Sequence, residues 1–210
     1  MGQSSTTTSA TKALPPLQTV IPKCVTSKFM GTWFVIAVKP TMFEKTNSNA
    51  VEIYTRTTNT SNKKNYHDID IQFQYNANTP ITSKLKSLPQ RGWIIPSSGN
   101  NKEESSDWNV SPFPSFIGSS SMFQFHYPIL ELDQEQYSYC VIGHSKRDYF
   151  WIMARTPKMD QSTLDTLLDK LEKKHLYTMD GVRMVPQVWT KEERTKRNLD
   201  SVIPDDCLEK

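Results

Sequence analysis

The side chains that could carry out a reaction in this sequence are its cysteines and histidines. The histidines lie at unrelated positions, and none has a carboxylate at a spacing that suggests an acid–base pair: His67, His126, His144 and His175. Catalysis needs an activated nucleophile or a tuned acid–base pair, so Cys140 alone keeps an enzymatic function open, provided that it points inward. No metal-ligand spacing occurs either. The sequence therefore predicts a protein that is not an enzyme and has no metal or cofactor.

The composition argues against several classes of partner. The chain has 210 residues, with 25 Lys and Arg against 22 Asp and Glu, and a formal charge of +3. No basic run is interleaved with aromatic residues, so nucleic acid is not an expected partner. The longest apolar runs are far shorter than the roughly 20 residues that span a bilayer. The N-terminus shows no secretory signal and the cysteine count is odd, which favours a cytoplasmic, reducing location.

Alternation of apolar and polar residues predicts β-strands along most of the chain. In residues 67–75, Ile69, Ile71, Phe73 and Tyr75 face one way, whereas Asp68 and Asp70 fall on the polar face. A solvated surface explains these two carboxylates better than a catalytic pair does. Further strand candidates are residues 28–40, 51–56, 81–88, 91–96, 106–111, 122–132, 136–143 and 148–155. Eight or so antiparallel strands without intervening helices predict a sandwich or a barrel.

One amphipathic helix is predicted after the last main strand. Asp160 is placed to cap it, and leucines follow at helical spacing at positions 164, 167, 168 and 171. We expect these leucines to pack on the outside of the sheet. Residues 1–22 are rich in Ser, Thr and Pro and predict a disordered arm. Residues 23–190 then form the folded domain, and residues 191–210 form a charged C-terminal tail.

Three segments in order resemble the signatures of one known family. Residues 31–37 (GTWFVIA) resemble the Gly-x-Trp motif that opens the first strand of lipocalins. Residues 133–143 (DQEQYSYCVIG) resemble the turn and strand that follow strand F, and residues 147–157 (RDYFWIMARTP) resemble strand H with the family arginine. The similarity runs from about Lys28 to Trp189. It is closest to the branch containing apolipoprotein D, bacterial outer-membrane lipocalins and plant temperature-induced lipocalins.

The resemblance implies an eight-stranded antiparallel up-and-down barrel, closed at one end, with one C-terminal α-helix packed outside. In the family the strand A indole plugs the closed floor and the strand H arginine crosses its face. Here those residues are Trp33 and Arg155, and Gly31 lets the entering chain pass close by. Alternation from this floor predicts a ligand-binding wall of Val35, Ala37, Val51, Ile53, Ile69, Ile71, Phe73, Tyr149, Trp151 and Met153. Strand G contributes either Tyr137 and Tyr139 or Ser138 and Cys140.

The predicted wall is apolar and aromatic, with few hydrogen-bonding groups and no buried charge. It suits a small hydrophobic ligand such as a fatty acid, a lysophospholipid, a sterol, a retinoid or a carotenoid. The resemblance implies transport of such a ligand, with a role in lipid protection under stress. A barrel filled by its own side chains is the alternative, since eight strands leave little room. A lipocalin-fold enzyme acting on a lipid or carotenoid, or a barrel serving as a subunit of a larger assembly, also stays open.

Two features suggest contact with a membrane surface. Phe113, Phe116 and Ile117 lie on a proline-rich, uncharged loop that the family topology places at the open end. The loop predicts a membrane-contacting tip, or a lid over the cavity. Gly2 begins a pattern typical of N-myristoylation, and a single myristoyl chain gives only weak, reversible attachment. The sequence thus predicts peripheral membrane association. Cys24 lies where relatives have a disulfide partner, but Cys140 is a few residues from the matching site, so no bridge is expected.

Overall fold

Eight β-strands follow one another along the chain and close into a barrel. The structure is a computed structural model that describes residues 14–41, 44–57, 66–78, 83–97, 99–113, 115–118 and 120–209. The strands are β1 (Gly31–Lys39), β2 (Ser48–Arg56), β3 (Ile69–Asn76), β4 (Leu85–Ile94), β5 (Asp107–Ser111), β6 (Phe125–Leu132), β7 (Tyr139–Ile142) and β8 (Phe150–Ala154). Each pairs antiparallel with the next, and β1 pairs with both β2 and β8, which closes the barrel.

Side chains of the barrel wall separate into two packed clusters. The interior cluster includes Trp33, Val35, Tyr54, Trp108 and Met153. The outer cluster, between the wall and the segments that cover it, contains alternate residues of the same strands, such as Phe34, Leu130, Val141 and Ile152. Because both faces of these strands are covered, apolar residues occur on both, and alternation in the sequence is weak there.

A bulge in β1 changes which side chains enter the barrel. Val35 pairs with Met153 and Ala37 with Ile152, so the register shifts between these two pairs. After the shift Val38 belongs to the interior cluster, whereas Ala37 belongs to the outer one. The predicted inward position of Ala37 is therefore wrong, because an extra residue in a bulge reverses the alternation. A short strand, β9 (Arg183–Met184), pairs with this upper part of β1.

The predicted orientation of β2 is also wrong. Val51 and Ile53 belong to the outer cluster, and Ala50 and Tyr54 to the interior one. The reason is that the C-terminal segment covers the outer face of β2, where Trp189 lies in the same cluster as Val51. A valine and an isoleucine at alternate positions thus mark a face buried under the chain terminus and not the face that lines the barrel.

Among the residues that the structure describes, four helices lie at the ends and on the outside of the barrel: α1 (Thr26–Phe29), α2 (Ser115–Gly118), α3 (Gln161–Lys173) and α4 (Lys191–Lys196). Asp160 caps α3 by accepting a hydrogen bond of 2.8 Å from the Thr163 amide. Its leucines at 164, 167 and 171 are buried in the outer cluster, as the helical spacing predicts. Residues Ser121–Phe123 and Asp205–Cys207 form 3-10 turns.

Both chain ends pack on the barrel where the structure describes them. The Val20 amide donates a hydrogen bond of 2.9 Å to the Ile129 carbonyl. Residues 14–22 of the predicted arm are thus packed rather than disordered, and residues 1–13 lie outside the described part of the chain. In the charged C-terminal tail, the Arg197 guanidinium lies 4.8 Å from the Trp189 ring and donates to the Asn49 carbonyl at 2.8 Å. The tail therefore forms part of the folded unit.

Candidate functional site

One end of the barrel is closed by an arginine stacked on a tryptophan. The guanidinium carbon of Arg155 lies 3.8 Å from the centroid of the Trp33 ring, which is fully buried. The same guanidinium donates to the carbonyls of Thr32 at 2.9 Å and Lys28 at 2.8 Å. Gly31 has φ +97°, and a Cβ atom there would lie 3.3 Å from Nη1 of Arg155. This is the arrangement that the resemblance implies, and it gives the barrel a sealed floor.

Aromatic rings fill the space directly above the floor. The Phe29 ring centroid lies 4.8 Å from that of Trp33, 5.0 Å from that of Trp108 and 5.2 Å from that of Tyr54. All four side chains are essentially without solvent contact. A ligand inside the barrel must therefore lie above this layer, toward the opposite end.

A carboxyl group lies on top of the aromatic layer. Glu52 is the partner of Trp33 in the pairing of β1 with β2, and it is 5% exposed. The hydroxyl of Tyr54 donates to Oε2 of Glu52, and that of Tyr127 donates to the same oxygen at 3.1 Å. The two phenol oxygens are 2.6 Å apart. Glu52, Tyr54 and Tyr127 thus form a buried hydrogen-bonded triad.

The environment of the triad holds protons on its members. Burial, which disfavours the charged form, raises the pKa of Glu52 to about 7; hydrogen bonds from the two tyrosines oppose this and the charge of Glu44 adds to it. Burial likewise raises the pKa of Tyr54 and of Tyr127 well above the usual value for a phenol. Near neutral pH the Glu52 carboxyl can therefore donate or accept a hydrogen bond.

A second carboxylate enters the barrel from the loop between β1 and β2. Oε1 of Glu44 accepts a hydrogen bond of 2.8 Å from Nε1 of Trp151, and Oε2 accepts one of 2.7 Å from the Thr41 hydroxyl. Glu44 is 6% exposed. The prediction of an interior without buried charge is therefore wrong. It followed from turning Val51 and Ile53 inward, an assignment that placed Glu52 on the wet side.

The structure places the ten predicted wall residues in two groups. Six lie in the interior cluster, and Tyr149 packs against it: Val35, Ile69, Ile71, Phe73, Trp151 and Met153. The other three, Ala37, Val51 and Ile53, lie outside. Interior residues that the sequence did not assign include Val38, Ala50, Glu52, Tyr54, Trp108 and Tyr127. Glu52 pairs with the inward-facing Trp33, and Tyr54 is two residues further along the same face of β2. The pairing of β1 with β2 therefore identifies both as interior residues.

Strand β7 turns Cys140 into the barrel and Tyr139 out of it. Burial raises the pKa of the Cys140 thiol well above its usual value, so the thiol is protonated and not activated as a nucleophile. Burial also raises the pKa of Cys24 to about 12. All three cysteines are free. The one side chain that left an enzymatic function open thus lies inside the barrel in an unreactive form.

The histidines do have carboxylate partners, contrary to the sequence-based expectation. His67 lies 2.8 Å from Asp70, His175 lies 2.8 Å from Glu131, and His126 and His144 pair with Asp107 and Asp148. Two of the pairs, His126–Asp107 and His175–Glu131, join residues 19 and 44 positions apart, so spacing could not reveal them. The other two join residues only three and four positions apart. None includes a member of the triad. Within the described ranges, no group of three or more His, Cys, Asp or Glu side chains could hold a metal ion.

The end opposite the floor carries exposed apolar side chains. Leu88 pairs with Phe73 and Phe125 with Val110, so both face the barrel axis, yet they are 38% and 43% exposed. In the adjoining loop the rings of Phe113 and Phe123 are 5.5 Å apart and each is 37% exposed, and Met122 is 83% exposed. We call these five residues the apolar rim. Ile117 is half-buried, and the side chain of Phe116 lies outside the described part of the structure.

The loop that carries part of the rim is folded back on β5. A Cβ atom at Gly118 would lie 2.8 Å from the Ser111 hydroxyl and 3.0 Å from the Phe113 carbonyl. Only glycine permits this approach, which keeps the loop at the barrel's end. The site is thus a barrel with a sealed floor, a polar triad at mid-height and an apolar rim.

A closed eight-stranded antiparallel barrel with a stacked floor and an outer helix defines a class of proteins that bind small hydrophobic molecules. A family model described as a lipocalin-like domain matches residues 26–187. The chain belongs to the lipocalin family. Proteins of this family are generally binding or transport proteins.

Two relatives show where the chain stands within the family. It is 26% identical to temperature-induced lipocalin-1 of Arabidopsis thaliana over 180 residues, covering 83% of this chain and 85% of that protein. It is 35% identical to the outer membrane lipoprotein Blc of Vibrio cholerae over 60 residues, which is 29% of this chain and only 31% of that protein. These similarities support the branch that the sequence motifs indicated.

Solved structures with the same fold are more distant in sequence. Insecticyanin from the tobacco hornworm Manduca sexta superposes with a TM-score of 0.55 at 12% identity, covering 86% of this chain and 88% of that one. Apocrustacyanin C1 superposes with a TM-score of 0.54 at 13% identity, covering 82% and 84%. Their similarity is one of fold. Within the ranges that the structure describes, no helix has the length and apolar character needed to cross a membrane.

Proposed function

We propose that this lipocalin carries a small hydrophobic ligand in the upper part of its barrel and exchanges it at a membrane surface. The observation that carries the proposal is the apolar rim, which continues into the buried interior at Phe73 and Val110. Exposed aromatic side chains around an opening are costly in water unless they contact a ligand or a lipid surface. The sealed floor leaves the rim as the entrance.

The ligand is proposed to contact the upper half of the interior. Val35, Ile71, Phe73, Tyr149 and Trp151 lie above or beside the triad and are the predicted wall residues best placed for contact. Ile69 pairs with Gly92 at the lower end of β3, and Met153 lies beside Cys140. Ile69 supports the wall from the level of the floor, whereas Met153 pairs with Val35 and lies at its height. Apolar burial contributes roughly 25 cal/mol per Å² to such binding.

Tryptophan fluorescence tests the carrier function directly, because Trp151 lies in the wall. Titration with a fatty acid, a lysophospholipid, a retinoid and a sterol is expected to quench emission with at least one of them. We expect a dissociation constant in the micromolar range, about −8 kcal/mol. If none of the four changes the emission or competes with a bound fluorescent lipid, the barrel is filled by its own side chains and the proposal fails.

Association with a membrane has a second proposed component at the N-terminus. Gly2 lies outside the described residues, and its acylation stays a prediction from the sequence pattern. A cytoplasmic, peripherally associated location and a role in lipid protection under stress are predictions of the same kind. Intact-mass measurement of protein produced together with an N-myristoyltransferase decides the acylation, since a myristoyl group adds a defined mass.

A further inference from the structure

The barrel interior contains two acidic side chains that form no ion pair. Glu44 and Glu52 are each more than nine-tenths buried. Among the described residues their hydrogen-bond donors are hydroxyl, indole and amide groups, and no basic side chain contacts either carboxylate. The guanidinium of Arg183 bonds the backbone carbonyl of Glu44 and not its carboxylate. Buried carboxylates are normally paired, yet neither of these two has a cation in salt-bridge contact among the residues that the structure describes.

One oxygen of Glu52 lacks a hydrogen bond. Both tyrosine hydroxyls of the triad donate to Oε2, and Oε1 has no partner within the described part of the chain. This oxygen is not among the fully enclosed atoms of the described residues that lack a hydrogen bond, which are Gln74 Oε1, Arg91 Nε and Arg194 Nε, so it stays accessible to solvent or to a ligand. The titratable groups that act on Glu52 are Glu44, Tyr54 and Tyr127. The charge of Arg155 acts on Tyr54 and Cys140 from the floor, and that of Arg183 acts on Glu44, but both guanidinium groups bond backbone carbonyls and not the two carboxylates.

Aromatic rings lie next to the triad. The ring of Tyr127, a member of the triad, lies 5.8 Å from that of Trp151, and the ring of Tyr149 lies 5.2 Å from Trp151 on the other side. The faces of aromatic rings attract cations and also pack on apolar groups. Two carboxylates together with a wall of rings form a site that suits a positive charge attached to an apolar body.

We propose that the ligand of this barrel is a hydrophobic amine whose ammonium group pairs with Oε1 of Glu52 and whose apolar body contacts the rings of Tyr127 and Trp151. The inference rests on the proposed carrier function and names the class of ligand. An ammonium group supplies the donor that Oε1 lacks and balances the charge of Glu44 and Glu52. A fatty acid would instead bring a third carboxylate into the same space, which like-charge repulsion disfavours.

A matched series of ligands separates this inference from the carrier function. Decylamine, decanol and decanoic acid share one chain length and differ only in the head group. At pH 7.5 the amine is positive and the acid is negative. We expect wild-type protein to bind decylamine at least tenfold more tightly than decanol, and decanoic acid more weakly than both. Equal affinities, or tightest binding of the acid, would overturn the inference while leaving the carrier function intact. Failure of all three to bind would overturn the inference, whereas the carrier function fails only if the four ligands of the fluorescence titration do not bind either.

Substitution of single acidic residues tests whether Glu52 is responsible for the preference for decylamine over decanol. Glu52→Gln is expected to reduce the preference for decylamine over decanol to less than threefold. Glu172→Gln makes the same chemical change at an exposed position on α3 and is expected to keep the full preference. A preference that survives Glu52→Gln contradicts the assignment. If Glu52→Gln does not fold, the comparison of the three ligands on wild-type protein still tests the inference.

Discussion

A carboxyl group enclosed in an apolar barrel determines much of what this site can do. Glu52 lies above the floor with both of its donors on one oxygen, so its charge state depends on pH and on what fills the space beside it. Its raised pKa also makes the free energy of unfolding depend on pH, because the group binds a proton more tightly in the folded chain than in the unfolded one. The residue therefore links stability, pH and ligand binding.

Replacing Glu52 by glutamine is expected to flatten the dependence of stability on pH. The pKa is about 7 in the folded protein against an ordinary 4.5. The protonated carboxyl therefore stabilises the folded protein. This stabilisation is fully present below the pKa of the unfolded chain and is lost as pH rises through the pKa of the folded protein. The total is about 3 kcal/mol. Wild type should lose this amount between pH 4.5 and 8 relative to Glu52→Gln in urea unfolding.

The exposed substitution Glu172→Gln serves as the control for this comparison and should follow wild type. Glu131, another buried carboxyl, does not interfere. Although burial raises its pKa, hydrogen bonds from His175, Lys174 and Lys170 lower it to about 2, below the range measured. Parallel curves for wild type and Glu52→Gln would show that Glu52 is ionised throughout.

The floor depends on the several N–H donors of the planar Arg155 guanidinium and not only on its positive charge. Arg155→Lys keeps a cation near Trp33 but cannot reach the carbonyls of Thr32, Lys28 and Tyr137 together. We expect a loss of about 2–4 kcal/mol, from weaker stacking and from carbonyls left without donors. Arg56→Lys changes an exposed pair with Glu103 and should cost under about 1 kcal/mol. Equal losses in urea unfolding would contradict this account.

At the scale of whole elements, the sequence predicts strands well and their facing less well. Strand β3 alternates with one wet face, and Ile69, Ile71 and Phe73 lie inside as predicted. Strands β1 and β2 carry apolar residues on their outer faces as well, because α3 and the C-terminal segment cover those faces. In β1 the bulge between Val35 and Ala37 determines which side chains face inward. In β2 the covering C-terminal segment explains why Val51 and Ile53 face outward. Neither can be seen in a short stretch of alternating residues, since both depend on contacts between distant parts of the chain.

The C-terminal segment is expected to stabilise the barrel without taking part in ligand binding. Trp189 is fully buried, and its ring lies 5.8 Å from that of Phe34 on the outer face of β1. Trp189→Ala should therefore cost about 3–5 kcal/mol of unfolding free energy. Ligand affinity measured under folding conditions should stay within twofold of wild type. Trp93→Ala, at a half-buried position, should cost less. A large loss of affinity in Trp189→Ala would show that the outer cluster shapes the cavity.

The two ends of the barrel differ in the apolar side chains that they expose to water. The floor is closed by buried rings and a bonded arginine, whereas the other end presents the apolar rim. Lipid contact through the rim would orient the barrel with its entrance toward the bilayer and its floor away. A ligand could then move between membrane and interior without crossing water, which is the step that limits transfer of apolar molecules.

Oriented contact predicts that charges added at the two ends have different effects on vesicle binding. Met122→Asp with Phe123→Asp alters rim positions that are 83% and 37% exposed, and Ile21→Asp with Ile95→Asp alters positions at the floor end that are 84% and 36% exposed. Both double variants change the net charge equally. On neutral phosphatidylcholine vesicles, where charge attraction is absent, the rim variant should sediment with a partition coefficient roughly tenfold lower than wild type, since it loses apolar area and must desolvate two carboxylates. The floor variant should match wild type. Equal losses in the two would mean that contact is not oriented, and no loss in either would remove the rim from any role at a membrane.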